Sequence, residues 1–182
     1  PLAGAWIDYV ARGQFLLQQG RTVADVAFLH TEDHGYAYPA GMVTTPAGYD
    51  FDIVYPHHLA AMTWRDGALT LPTGPAYRVL MLPENWAADL ATLRKLRDFA
   101  RAGAPIYGAA PVVPAGVRDY EARSEFAALV RELWDGPRAV IRRTPLSTAL
   151  KERSLAPDVV LPAAPAGGEL RYIHRRTPDA EI

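Results

Sequence analysis

Apolar and polar residues alternate along this chain with two periods, and each change of period marks a new short element. From Leu2 to Gln19, Trp6, Tyr9, Val10, Gly13, Leu16 and Leu17 recur at helical spacing, and Gly20 stands where a C-cap glycine belongs, so a first helix is expected. Val23 to His30 is a compact apolar run of buried-strand length. Tyr49 to Tyr55 reads as a short strand or as the approach to a small helix over His57 to Met62. Met62 to Leu71 predicts a hairpin turning at Asp66-Gly67.

Tyr77 to Leu82 predicts the most deeply buried strand, closed by Pro83. Leu93, Leu96, Phe99 and Ala100 give Leu90 to Ala102 a helical face that Gly103 stops, and Pro105 to Gly108 follows as a short strand. Ser124 is expected to cap a helix running through Trp134, ended by Gly136. Arg138 to Arg142 reads as a strand. Thr144-Pro145 reads as an N-cap with proline at N1 for a helix to about Leu155, and Asp158 to Leu161 as the last strand. This alternation predicts an α/β fold: three layers around a mostly parallel sheet of flavodoxin-like type, over residues 1–161.

Residues 162–182 read as a small-residue linker and the start of a β-rich domain. Leu170 to His174 alternates as a strand, Thr177 to Ala180 makes a turn, and Glu181-Ile182 begins the return of a short hairpin stub. With no initiator Met and no signal peptide before Pro1, the chain is expected to be one piece of a longer protein. Its compartment stays open, with a periplasmic or secreted parent compatible.

Composition narrows the function classes. The 182 residues carry 49% hydrophobic and 21% charged side chains and a net charge of −1, with Lys and Arg dispersed rather than clustered. That argues against a nucleic-acid or anionic-membrane partner. No apolar run approaches the roughly 20 residues of a membrane helix. Cysteine is absent, which removes disulfides, thiolate metal sites and cysteine nucleophiles but does not fix a compartment.

Two chemistries of doubly wound folds can be tested on the residues. A phosphate cradle needs glycines after the first strand, yet Thr31-Glu32-Asp33-His34 places two carboxylates there. A nucleophile elbow needs Gly-x-Ser-x-Gly, and Ser124, Ser147 and Ser154 are not in that setting. The long loop from Thr31 to Gly48 is a candidate functional surface. His30, Glu32, Asp33 and His34 form its densest group of metal-ligand types, and a solvated polar loop is the preferred reading of them. Asp50 and Asp52 flank Phe51 and would serve acid–base work or a cation, or else bond backbone amides at the loop edge. His57-His58 would contact substrate or simply begin a surface helix. Tyr36, Tyr38, Tyr49 and Tyr55 add rings that stack on sugars or anchor loops.

Several of these stretches resemble one family. Tyr9 to Gly20 with Val23-Ala24-Asp25-Val26, Gly48 to Asp52, Asp66 to Pro72, Tyr77 to Pro83 and Ile173 to Ile182 are similar to the segment after the catalytic barrel in bacterial α-L-rhamnosidases of glycoside hydrolase family 106. The resemblance implies an inverting enzyme with two catalytic glutamates and a calcium ion, all in the barrel. It implies no catalytic residue, metal or cofactor in this segment, and Glu32 and Glu84 match no catalytic motif. The segment then resembles a class I glutamine amidotransferase-like accessory domain without that chemistry. Its partners would be neighbouring domains of the same polypeptide and a rhamnosylated carbohydrate, with rim candidates Tyr36, Tyr38, Tyr49, Asp50 and Asp52. A face around Trp6 and Tyr9 would be left exposed and prone to self-association. Two alternatives remain: a stand-alone carbohydrate- or partner-binding module, and a metal-dependent hydrolase using His30, Asp33, His34 and the Asp50/Asp52 pair.

Overall fold

Runs of alternating apolar residues build a parallel sheet whose two faces bury separate clusters. The computed structural model describes residues 2–31, 43–137, 139–160 and 172–182. Helix α1 (Leu2–Leu17) leads into strands β1 (Arg21–Thr22) and β2 (Val26–Leu29). Next come β3 (Phe51–Val54), α2 (Pro56–Ala61), the meander β4 (Thr63–Arg65), β5 (Ala68–Thr70) and β6 (Ala76–Tyr77), and then β7 (Val79–Met81). They are followed by β8 (Ala87–Ala88), α3 (Leu90–Arg101), β9 (Ile106–Tyr107) and β10 (Val113–Pro114). The remaining elements are α4 (Val117–Glu121), α5 (Arg123–Val130), a π-helical turn (Arg131–Asp135), α6 (Leu146–Glu152) and β11 (Arg175–Arg176).

The main sheet has the order β3-β2-β7-β9 and every pair is parallel. Val26 lies opposite Phe51 and Val79, and Leu80 opposite Ile106. A parallel bridge from Tyr107 to Arg142 extends the edge. Successive strand residues point to opposite faces. Ala27, Leu29 and Leu80 therefore join Leu59 of α2, Leu93 and Leu96 of α3 and Leu129 of α5 in one cluster. Val26, Val79, Met81 and Tyr107 meet Leu146, Ala149 and Leu150 of α6 in the other. Each fully buried leucine contributes about 1.5–3 kcal/mol of transfer free energy, so the sheet is held from both sides.

Local signals explain the best-formed elements. Asp66 and Gly67 both take positive φ, at 53° and 76°, which gives the hairpin the turn its strand twist favours. Asp89 caps α3, its Oδ1 accepting from the Thr92 amide at 2.6 Å. Trp86 is fully buried, and its indole donates to the Ala109 carbonyl at 2.9 Å.

Several expectations are corrected. Ser124 lies inside α5 rather than capping it, because the chain enters from α4 through Ala122, which offers no extended N-cap and no side-chain bond. The helix does run through Trp134 as expected, its last turn over Arg131–Asp135 taking π geometry. Among residues 139–142 only the Arg142 bridge is strand-like. The Val140 and Ile141 amides are taken by the Leu133 carbonyl, at 3.1 and 3.0 Å. Residues 158–160 form no strand either; the Val159 amide donates singly to Gly48 at 3.3 Å. Lastly, α6 begins at Leu146 with Pro145 in the N-cap place, so Thr144 does not cap it.

The expected turn at Thr177 to Ala180 forms, with the Thr177 amide bonded to Ala180 at 2.8 Å and Arg175 paired with Ile182. Its leading strand is β11, which pairs antiparallel with β1; of the expected Leu170–His174 strand, residues 172–174 are not in strand and Leu170 lies outside the described residues. Val23 to His30 is likewise not one strand, since it breaks before β2 at Asp25, whose carbonyl accepts from the Arg78 and Val79 amides.

Candidate functional site

The C-terminal ends of the parallel strands open into a cleft of about 980 Å³. His30 and Thr31 continue β2 into its floor, and Tyr55, Pro56 and His57 bring the end of β3 and the first turn of α2 to one wall. Asp89, Thr92 and Lys95 of the α3 start form another, while Ala87, Ala88, Ala91 and Ala115 leave the remainder shallow and apolar. Clefts at this end of a parallel sheet are where open α/β folds hold ligands.

The rings here are ordered by one another. Tyr55 meets His30 edge-on at 5.4 Å and stacks on His57 at 5.8 Å, with the planes 8° apart. His58 accepts from the Tyr55 amide through Nδ1 at 3.2 Å, which fixes the α2 start. Burial pushes the His58 imidazole below its ordinary pKa, and the neighbouring His57 adds to the shift. His57-His58 thus begins a helix, as one of its two readings holds, and His57 also faces the cleft. Asp89 is already committed to the Thr92 amide, so the α3 N-terminus meets its own carboxylate before any external anion. Lys95 lies over the Phe99 ring at 4.8 Å.

The rim candidates lie elsewhere. Tyr49, Asp50 and Asp52 stand at the start of β3, at the strand end opposite the cleft, and none of the three lines it. The Tyr49 hydroxyl donates to the Leu155 carbonyl at 2.7 Å. Asp50 Oδ1 accepts from the Phe51 amide at 2.8 Å, the backbone-bonding role that its sequence position allows. Asp52 accepts from the Tyr77 hydroxyl at 3.0 Å. Burial, followed by the Asp52 charge and the hydrogen bond to it, holds the Tyr77 hydroxyl far above its usual range. Tyr36 and Tyr38, with Glu32, Asp33 and His34, lie outside the described residues.

Around Asp50 a second polar group gathers that the sequence did not announce. Asp25, Asp50, Asp158 and the neighbouring Tyr172 and His174 come from four separate places in the chain. Burial raises the Asp25 carboxyl pKa, with Arg78 at 3.1 Å opposing and Asp158 reinforcing the shift. Asp50 is raised by burial, against its bond from Phe51, and further by Asp52 and Asp158. Tyr172 is pushed up to about 12 by burial and then by Asp158, Asp50 and Asp25. His174 Nε2 sits 2.6 Å from Glu181, whereas its Nδ1 is 3.5 Å from Asp158, an ionic approach too long for a good hydrogen bond. Asp158 Oδ2, the Tyr172 hydroxyl and His174 Nδ1 are accordingly buried without a hydrogen-bond partner. Among the described residues no three His, Asp or Glu side chains are grouped to hold a metal ion. Only an alternation of Asp with aromatic residues hinted at this cluster; its assembly depends on distant segments.

One family model spans the chain, and two similar proteins are glycosidases by name. The model of glycoside hydrolase family 106, alpha-L-rhamnosidase, matches residues 2–182. A putative beta-glucuronidase of Formosa agariphila is 30% identical over 179 residues, covering 98% of this chain and 15% of that protein. The solved rhamnosidase of Novosphingobium sp. PP1Y superposes with a TM-score of 0.82 at 29% identity, over 97% of this chain and 18% of that one. The chain thus spans less than a fifth of the relatives that it matches.

Proposed function

This chain belongs to glycoside hydrolase family 106, the α-L-rhamnosidase family, and from that membership we propose that it is a non-catalytic structural domain of a longer α-L-rhamnosidase-like enzyme. It packs on the catalytic barrel and lends its 31–52 loop, with Tyr36 and Tyr38, to the rim of the active site. One observation supports this above the rest. The carboxylates Asp50, Asp52 and Asp89 are each tied into a hydrogen bond that holds the fold together. An inverting glycosidase needs an acid and a base free to meet substrate and water, about 6.5–9.5 Å apart. The pair that performs inversion, and the calcium that the resemblance assigns to the barrel, then belong to the rest of the polypeptide.

The scaffold fits an accessory role of flavodoxin-like, amidotransferase-like type. Counted among themselves, the parallel strands and the Arg142 bridge run in the order 2-1-3-4-5, with apolar clusters on both faces. The absence of cysteine and of a serine elbow suits a domain that keeps such a frame without its chemistry. The two named relatives differ in activity, so the test uses both substrate classes. Aryl α-L-rhamnoside and aryl β-glucuronide are offered to this chain and to the whole polypeptide, with calcium and with a chelator. Turnover of the rhamnoside by the whole polypeptide alone is expected. Turnover by the 182-residue chain overturns the reading.

The roomy cleft beside Tyr55 and His57 favours one second reading, a carbohydrate-binding module acting without catalysis. Saturable rhamnose binding by this chain, lost when Ala91→Trp fills the cleft, would favour that alternative.

A further inference from the structure

Helix α1 is built for an interior, yet among the described residues nothing encloses it. Every residue from Ala3 to Gln18 is exposed except Val10, which is half-buried. Trp6, Ile7 and Tyr9 are 66%, 61% and 65% exposed, and Phe15, Leu16 and Leu17 range from 48% to 63%. At about 100° per residue these six spread around roughly 260° of the helix, leaving Asp8 and Arg12 together on the remaining strip. A helix apolar on three sides is a core helix, not a surface one. Sixteen residues including Gly4 and Gly13 are also marginal as an isolated helix in water.

The base of α1 is nonetheless fixed in direction. Arg175 donates to the carbonyls of Gln19 and Gly20 just past its last turn and to the Thr22 hydroxyl. Gly20 has φ +52° and lies so close to Arg176 that a Cβ there would come within 2.1 Å of its carbonyl oxygen. A rigid stem therefore presents a helix about 24 Å long, and Trp6 and Tyr9 stack on its flank at 5.9 Å.

We infer that α1 is not part of this domain but completes the neighbouring one: its apolar sides lie in a groove of the adjoining catalytic domain of the same polypeptide, and the present domain proper begins at Gly20. Two observations select this occupant. The solved rhamnosidase matches 97% of this chain, leaving at most about five residues unmatched, so α1 has a counterpart inside a polypeptide of which this chain is only 18%. A second copy of the chain, crossing helix to helix, would cover a single stripe, whereas burial on three sides needs a groove between several elements.

The inference rests on the accessory-domain reading for the identity of the neighbour, and the two fail separately. Rhamnoside turnover by the isolated chain would end that reading whatever α1 does. The pair Trp6→Glu and Phe15→Glu, placed on different sides of α1, is made in this chain and in the whole polypeptide, and thermal unfolding and sedimentation are measured. The pair is expected to leave the melting temperature of the isolated chain within about 2 °C of its original value. It should lower that of the whole polypeptide by 5 °C or more and open α1 to limited proteolysis. Three results overturn the inference. They are an unchanged melting temperature of the whole polypeptide, a clear fall in the isolated chain, or a stoichiometric dimer of both polypeptides that the pair splits into monomers.

Discussion

Arg175 donates to the main-chain carbonyl of Gly20, its Nη2 2.9 Å from the oxygen, across 155 residues of sequence. The same guanidinium reaches Gln19 and Thr22, so one side chain ties the end of α1, the strand β1 and the C-terminal strand pair together. A cation at the C-terminal end of a helix also meets the negative end of its dipole. Arg175→Ala should cost about 1–2 kcal/mol, the range for charge-assisted bonds discounted for partial exposure. Arg175→Lys should recover only part, because an ammonium lacks the planar fork. Urea unfolding of both variants provides the check.

Gly48 holds the loop edge against the segment that carries Asp158. Its φ is +83°, and a Cβ would fall 2.1 Å from the Val159 carbonyl oxygen and 2.8 Å from the Pro157 side chain. Gly48→Ala combines backbone strain with a main-chain clash and is expected to destabilise by about 2 kcal/mol or more. For a domain of this size that is a fall of roughly 4–8 °C in melting temperature, measurable by differential scanning calorimetry.

The carboxylate cluster gives an unusual acid response. Asp50 has a folded pKa raised above its ordinary 3.8. Its stabilising contribution is fully present below 3.8 and is lost as pH rises through the higher folded value, so at neutral pH this group weakens the fold. Asp50→Asn keeps an oxygen for the Phe51 amide while removing repulsion from Asp52 and Asp158. It should be neutral or stabilising at pH 7, by up to about 1 kcal/mol. Its advantage should shrink as pH falls toward 4. A loss of more than 1 kcal/mol at pH 7 would show the charge itself to be needed.

At the alkaline end Tyr172 contributes alongside Tyr77, whose hydroxyl is also held far above its usual range. With the Tyr172 pKa pushed up to about 12, its stabilising contribution is whole below the ordinary value of 10.0 and disappears as pH rises through 12. Stability should therefore fall between those two values, and Tyr172→Phe should remove that part of the alkaline slope. Phenylalanine also relieves a hydroxyl that is buried without a partner, so little loss at pH 7 is expected. Denaturant midpoints from pH 8 to pH 12 test both statements.

The sheet and its flanking helices were legible in the sequence because their signals are local. Val79 to Leu82 is apolar throughout and carries β7, and the Leu93, Leu96 and Phe99 spacing forms α3 behind its Asp89 cap. Asp66-Gly67 fixes the hairpin within four residues. Elements whose fate depends on distant contacts were not legible. Val140 and Ile141 look like strand residues, but their amides are claimed by Leu133. The cleft escaped notice for the same reason, since its alanines carry no chemical signal and its polar groups come from β2, α2 and α3. Asp50 and Asp52 drew attention as a pair, yet each answers to a different partner.

In the proposed structural role, Asp50, Asp52 and Asp89 hold the fold together and do not perform the reaction. The most direct measurement is kcat for an aryl α-L-rhamnoside in the whole polypeptide carrying Asp50→Asn, Asp52→Asn and Asp89→Asn together. Each amide can keep the hydrogen bond its carboxylate accepts, from Phe51, Tyr77 and Thr92. None can act as acid, base or nucleophile. A kcat within about threefold of the original is predicted. A loss of a thousandfold or more, the scale expected when an essential acid–base or nucleophilic group is removed, would contradict the account.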